Sequence, residues 1–347
     1  MALLMKFSSG LPAAFSDETL TSWFYRIFIG NRIILKKPDL LLADPQRSWV
    51  GVNAIAEDLD FNFALAYFKT AAMALSLDAN LIKCYFDLKG ITPVSPSRRT
   101  LFCRHCVRED VASGQMPGWR KQWCARDAVM CTCHNVDLTR LLSIPTFQKS
   151  WDAFAQTAQP TIVSDVWLRS DLQRLRMILM RRIQRWKVLL STKELRLFGN
   201  LYELFLSAPT YDHDAGVAHS FYGRKSARRF CQIITLQDAI RYGVELSDVQ
   251  ARFASQILAA YVLGGIRAQE LSIFRRRCLI HGVKHPEIEE IIPMIRFSCA
   301  TVDDYCYLHR LLGKFSRRKG SKVDELFLRF EKTVGARIFN SSLRFGC

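Results

Sequence analysis

The chain has 347 residues, 49% of them hydrophobic and 12% aromatic, which excludes a mostly disordered protein and allows two or three modules around a substantial core. Its 49 Lys and Arg outweigh 32 acids for a formal charge of +17, so the natural partner is a polyanion, with nucleic acid ahead of anionic lipid or acidic protein. The 11 cysteines are scattered and odd in number, no apolar signal-peptide core opens the chain, and no apolar run reaches membrane-spanning length; these features point to a reducing cytoplasm, away from disulfide scaffolds and membranes.

In chain order, residues 1–92 read as a small helical module. Leu11-Pro12-Ala13-Ala14-Phe15 is an extended lead-in, and Ser16 stands as a helix N-cap with Asp17 and Glu18 in the first turn, where carboxylates offset the helix macrodipole. The spacing predicts a helix over residues 17–30, with Leu20, Trp23, Phe24 and Ile27 as its buried stripe and Arg26 near the rim. Further helices are expected over residues 48–59, 61–75 and 77–88, the last turning Ile82 and Phe86 inward.

The two prolines of Pro93-Val94-Ser95-Pro96-Ser97 disfavour helix and read as a hinge. Residues 93–145 then form a metal-binding module. Cys103-Arg104-His105-Cys106 is followed by 24 residues and by Cys131-Thr132-Cys133-His134, a C-x2-C and a C-x2-H pair. Two ligands three positions apart can turn toward one ion from a tight knuckle, and two knuckles complete the closed tetrahedron of a structural zinc. One structural Zn2+ on Cys103, Cys106, Cys131 and His134 is therefore the expectation, with Cys133 as an alternative to His134 and with small buried thiols as the plain alternative to a metal. Four filled positions argue against a catalytic zinc, which keeps one site for water. Gly114, Pro117 and Gly118 break any long helix between the pairs, and Trp119 and Trp123 supply apolar mass.

Residues 146–347 read as a basic helical region. The segment 172–190 carries six basic residues from Arg174 to Lys187 and no acid. On a helical wheel Arg174, Arg181 and Arg185 share one face while Leu172, Leu175, Leu179 and Trp186 lie on another, which fits a phosphate-tracking face or a plain solvated one. A polar loop over residues 209–223 holds Asp212, His213, Asp214 and His219, ordinary turn residues. Arg224, Lys225, Arg228 and Arg229 follow it as candidate nucleic-acid contacts. Helices over residues 247–263 and 267–277 flank Gly264-Gly265, as an ordinary hairpin or as a helix-turn-helix whose second helix offers Gln269, Ser272, Arg275 and Arg276 to bases or phosphates. Arg317, Arg318, Lys319 and Lys322 make a further basic patch. The fold class is mainly α: a multi-module helical protein with a small structural zinc unit between helical N- and C-terminal parts.

Pro12, the run Ser16-Asp17-Glu18-Thr19-Leu20-Thr21-Ser22-Trp23-Phe24-Tyr25-Arg26, and the series Cys103, Cys106, Trp123, Cys131, His134 and Leu138 resemble the TniQ family, over roughly residues 10–140. In that family an acidic-Leu-Ser-Trp-x-x-Arg helix precedes a zinc unit in which a Trp stands eight positions before the third ligand, a spacing that Trp123 and Cys131 keep. Arg104 replaces the usual Pro between the first two cysteines, and the extra cysteine ribbon of several members is missing after Leu138, which leaves open the surface that reads the target. The resemblance implies a bacterial, cytoplasmic, non-enzymatic target-selection adaptor for DNA transposition. Such a protein binds a DNA attachment site or docks on a CRISPR-type RNA-guided complex, and it recruits an AAA+ ATPase transposition regulator. The alternative is a stand-alone zinc-containing regulator that binds specific DNA sequences. A metal-dependent nucleic-acid enzyme ranks last, since the chain lacks a Gly-rich phosphate loop with Lys-Ser/Thr, an H-E-x2-H and a zinc-deaminase signature. The apolar content permits a homodimer.

Overall fold

A computed structural model describes residues 11–30, 58, 60–62, 69, 72–73, 77–87, 91–146, 148–158, 170–210, 216–221, 236–299, 301–313 and 321–335. Within them lie twelve α-helices and a single two-stranded antiparallel ribbon, so the protein is mainly α. The chain divides into two compact units, residues 1–162 and 163–347. No helix among the described residues is long and apolar enough to cross a membrane. The helices expected over residues 48–59 and 61–75 fall largely outside the described residues.

The first unit opens with α1 (Leu20–Gly30). Leu20, Trp23 and Ile27 form its buried stripe against Ile82 and Phe86 of α2 (Ala79–Phe86), while Phe24 packs at the edge of that cluster. Trp23 also donates its indole N–H to the Pro12 carbonyl at 2.9 Å, which fixes the lead-in across the helix. The helix starts three residues later than its sequence signals indicate. Thr19 is the capping residue: its carbonyl accepts from Trp23 N–H at 3.1 Å and its hydroxyl from Ser22 N–H at 3.4 Å. Asp17 and Glu18 are kept out of the first turn because their backbone pairs with residues 119–121 instead. Thr19 N–H donates to Trp119 O at 2.8 Å and Lys121 N–H to Asp17 O at 2.6 Å, around an isolated bridge between Glu18 and Arg120.

Arg26 corrects a second expectation. It is buried, not at the rim, and its guanidinium donates to Glu18 at 2.6 Å. A cation this deep persists only when paired and hydrogen-bonded, and Ala13 O and Gln115 Oε1, both at 3.3 Å, accept from its Nη1 and Nη2.

The segment expected to be a hinge is clamped in place. Val94 N–H donates to Cys124 O and Arg126 N–H to Thr92 O, each at 2.9 Å. A ribbon of β1 (Leu101–Phe102) and β2 (Thr139–Arg140), with Leu101 opposite Arg140, then closes the segment between them into one loop. Inside it α3 (Arg104–Ala112) ends where Gly114 takes a φ of 75°, and α4 (Lys149–Ala158) packs on α3, its Thr157 carbonyl accepting from Arg104 at 3.2 Å.

The second unit is built around α8 (Val249–Val262), every residue of which except Gln250 is buried. Such a helix needs neighbours on all sides. They are α5 (Ser170–Val188), α6 (Thr192–Ser207) and the short turn at Val217–His219. Its few polar side chains are satisfied locally, Ser255 Oγ donating to Tyr202 O at 2.5 Å and Arg252 to Ser247 Oγ and Val244 O at 3.1 Å. α7 (Leu236–Leu246) packs on α6.

α8 ends in a paired carbonyl cap: Gly265 N–H reaches Ala260 O at 2.7 Å and Gly264 N–H reaches Tyr261 O at 3.2 Å. Gly264 takes the left-handed φ of 82° that this cap requires, and a Cβ on Gly265 would stand 2.5 Å from the Trp186 ring. α9 (Ala268–Ile280) follows, then α10 (Ile288–Met294), α11 (Val302–Gly313) and α12 (Lys322–Phe330).

Candidate metal centre

The two knuckles are made by different local structures. Cys103 is the N-cap of α3 and Cys106 lies in its first turn, so helical geometry brings both thiols to the helix start. Cys131 and His134 lie on a tight turn in which Asn135 N–H donates to Cys131 O at 2.9 Å and Cys131 N–H to Val136 O at 2.8 Å. Asn135 takes a left-handed φ of 56°, which asparagine tolerates better than most residues.

The four ligand atoms converge. Cys106 Sγ lies 3.6 Å from Cys131 Sγ, and His134 Nδ1 lies 3.6, 3.2 and 3.7 Å from the sulfurs of Cys103, Cys106 and Cys131. All four atoms fall within 4.8 Å of one another. A regular tetrahedron with metal–sulfur bonds of about 2.3 Å has edges of about 3.8 Å, so these separations suit one four-coordinate ion. Cys103, Cys106, Cys131 and His134 could hold one metal ion, and among the described residues this is the sole such group. Cys133 is exposed and outside the cluster, which decides the fourth position for His134. Cys124 is a further buried thiol, outside the cluster, which burial pushes up to about 11.

The four groups are shifted unequally: hydrogen bonds to the Cys103 and Cys131 thiols push the Cys106 thiol well up, and, against burial, the hydrogen bond to Glu109 raises His134. Hydrogen bonds from the Cys106 and Cys131 thiols hold the Cys103 thiol down to about 3, against burial, and the N–H groups of Cys106 and His105 add to this. With Nδ1 turned to the sulfurs, His134 Nε2 donates to Glu109 Oε1 at 2.8 Å. A carboxylate there fixes the ring and its tautomer. Glu109 was not anticipated from the sequence; the available signal was a carboxylate one helical turn after Cys106.

The centre stands on a buried polar framework. Ser22 Oγ accepts from Trp119 N–H at 2.8 Å and donates to Glu18 Oε1 at 2.9 Å. The Phe15 ring is sandwiched between the Arg26 and Arg120 guanidiniums, 4.2 and 3.8 Å from its centroid. Gly118 permits this approach, since a Cβ there would stand 2.6 Å from both Phe15 and Arg120. Arg120 pairs with Asp110 at 2.6 Å, and Arg99 pairs with Asp58 and, at 2.9 Å, with Asp60. Trp119 and Trp123 pack edge to face with centroids 5.5 Å apart, both fully buried. The motif residues of α1 and those between the knuckles therefore belong to one structure.

The candidate nucleic-acid contacts are placed less uniformly. Arg224, Lys225, Arg228 and Arg229 lie outside the described residues, as do Asp212, His213, Asp214, Arg317, Arg318 and Lys319. Arg275 is half-buried and donates to Glu287 at 2.6 Å, whereas Arg276 is exposed on α9. The six basic residues of α5 divide. Arg174, Arg181 and Arg185 are exposed, Arg182 pairs with Glu270 at 2.9 Å, Lys187 lies 4.9 Å from the Phe198 ring, and Arg176 is buried 4.4 Å from the Phe253 ring. No family model, curated protein or solved structure matches this chain.

Proposed function

We propose that this chain is a non-enzymatic adaptor of TniQ type, which selects target sites for DNA transposition by holding a DNA site or an RNA-guided complex and recruiting an AAA+ regulator. The observation that carries the reading is the convergence of the resembling residues. Pro12, Glu18, Ser22, Trp23 and Arg26 are joined by hydrogen bonds to one another or to the segment between Cys106 and Cys131. The formal charge of +17 supports a polyanionic partner.

The metal in this reading is one structural zinc on Cys103, Cys106, Cys131 and His134, since three thiolates and an imidazole at tetrahedral separations suit that ion and leave no position for water. The location is the bacterial cytoplasm. Recovery of the tagged protein from its native lysate, with and without nuclease, tests the whole. An AAA+ ATPase co-purifying with a CRISPR-type effector or with one discrete DNA site is the expected result; scattered promoter DNA without an ATPase would replace it with a stand-alone regulator.

A further inference from the structure

The long basic helix α5 and the helix α9 lie side by side and antiparallel. His281 Nε2 meets Asp171 Oδ2 at 2.6 Å at one end, and Arg182 Nε meets Glu270 Oε1 at 2.9 Å further along. The two contacts mark one edge on each helix. At about 100° per residue, Leu172, Leu179 and Ile183 of α5 and Leu271, Phe274 and Cys278 of α9 turn to one side of that edge, and all are buried. On the opposite side lie Arg174, Arg181 and Arg185 of α5 with Arg276 and Arg277 of α9, all exposed. Because the helices run in opposite directions, both outward sides fall on the same face.

That face carries no acid from either helix. Asp171 and Glu270 are the only carboxylates on α5 and α9, and both are spent on the contacts between them. Between the arginines sit Ile178 and Ile273, half exposed. Arg174 to Arg185 spans about 16 Å of helix. Duplex nucleic acid presents about ten phosphate charges over that length.

We infer that the outer face of the α5–α9 pair binds the phosphate backbone of nucleic acid, through Arg174, Arg185, Arg276 and Arg277, without reading bases. The inference rests on the reading of the chain as a nucleic-acid adaptor and gives it a surface. Arginine suits this task because its planar fork meets phosphate oxygens two at a time. The surface leaves out Arg275, which Glu287 holds.

The test is binding of the purified full chain to a labelled 30-base-pair duplex across a salt series. Replacement of Arg174, Arg185, Arg276 and Arg277 by Glu is expected to weaken binding at least a hundredfold near 0.1 M salt and to flatten the slope of log K against log salt by about 3.6. Lys193→Glu with Lys284→Glu, two exposed lysines of the same unit, should leave that slope unchanged. Should the fourfold variant misfold, Arg185→Gln with Arg276→Gln is expected to flatten the slope by about 2. The inference is overturned by an unchanged slope in the arginine variants, by equal losses in the lysine control, or by no duplex binding at all. Arginine-dependent binding to phosphatidylserine vesicles without duplex binding also overturns it, and assigns the face to a lipid surface. Recovery of the ATPase is read separately, so the adaptor reading can survive failure of this face.

Discussion

The two units solve the problem of a core differently. In the first, Glu18, Arg26, Asp58, Arg99, Asp110 and Arg120 are buried beside three tryptophans, and each charge has a partner. In the second, α8 packs mainly through aliphatic and aromatic side chains, with Arg252 and Ser255 held by hydrogen bonds to Ser247 and to backbone carbonyls. A buried ion pair contributes little net stability, because desolvation offsets the attraction, yet removing one partner is costly. An apolar core is more stable per residue and more tolerant of exchange among residues of similar volume. The first unit therefore depends on exact residue types, and the second more on volume and periodicity.

That difference can be broken most directly at the metal. Cys103→Ser, or a strong chelator, is expected to remove folding free energy on the order of 10 kcal/mol from the first unit and to unfold it, while amides of α6 and α8 keep their protection from hydrogen exchange. Concerted loss of protection in both units would show that the contrast does not extend to stability.

A smaller effect is expected at the Glu18–Arg26 pair. Arg26→Met leaves a buried carboxylate without its main partner and should cost about 3–5 kcal/mol, much of it recovered in the double variant with Glu18→Gln. Urea unfolding of the four proteins closes the cycle; a single-variant cost below about 1 kcal/mol would mean that water reaches the pair.

In the second unit the sharper probe is pH. His285 is buried against Phe221 and Phe274, and burial holds it down to about 4 from the ordinary 6.5. The folded state then binds fewer protons than the unfolded one, so this contribution is fully present above pH 6.5 and is lost as pH falls through about 4. On the order of 3 kcal/mol should disappear over that window, and His285→Phe should flatten the acid limb of a plot of melting temperature against pH. The smallest effect is expected at Glu109→Gln, which should weaken zinc binding about 10- to 100-fold in competition with a chelator while the protein folds normally at saturating metal.

The contrast also explains what the sequence disclosed. Cysteine and histidine at ligand spacing, and a short run of Asp, Glu, Ser, Trp and Arg, stand out because their roles admit few substitutes. The cluster of Cys103, Cys106, Cys131 and His134 and the stripe of Leu20, Trp23 and Ile27 were therefore legible. The start of α1 was misread because Ser16-Asp17-Glu18 has every local mark of a helix N-terminus, and the competing pairing with residues 119–121 is invisible to periodicity. The burial of Arg26 was hidden for the same reason, since Glu18 faces it only after the chain has turned at Phe15. In α5 the wheel separated the exposed arginines from the leucines correctly but could not reveal that Arg176 turns inward to Phe253. Residues 163–347 carry no motif because apolar packing around α8 leaves none to read.

The bond from Trp119 N–H to Ser22 Oγ joins residues 97 positions apart. At about 5–20 residues per second, the ribosome delivers Trp119 roughly 5–20 s after Ser22. For that interval Trp23, Ile27 and the charges of Glu18 and Arg26 have no finished core to enter, and Cys131 and His134 come later still. The first unit must therefore be kept from aggregating during its own synthesis.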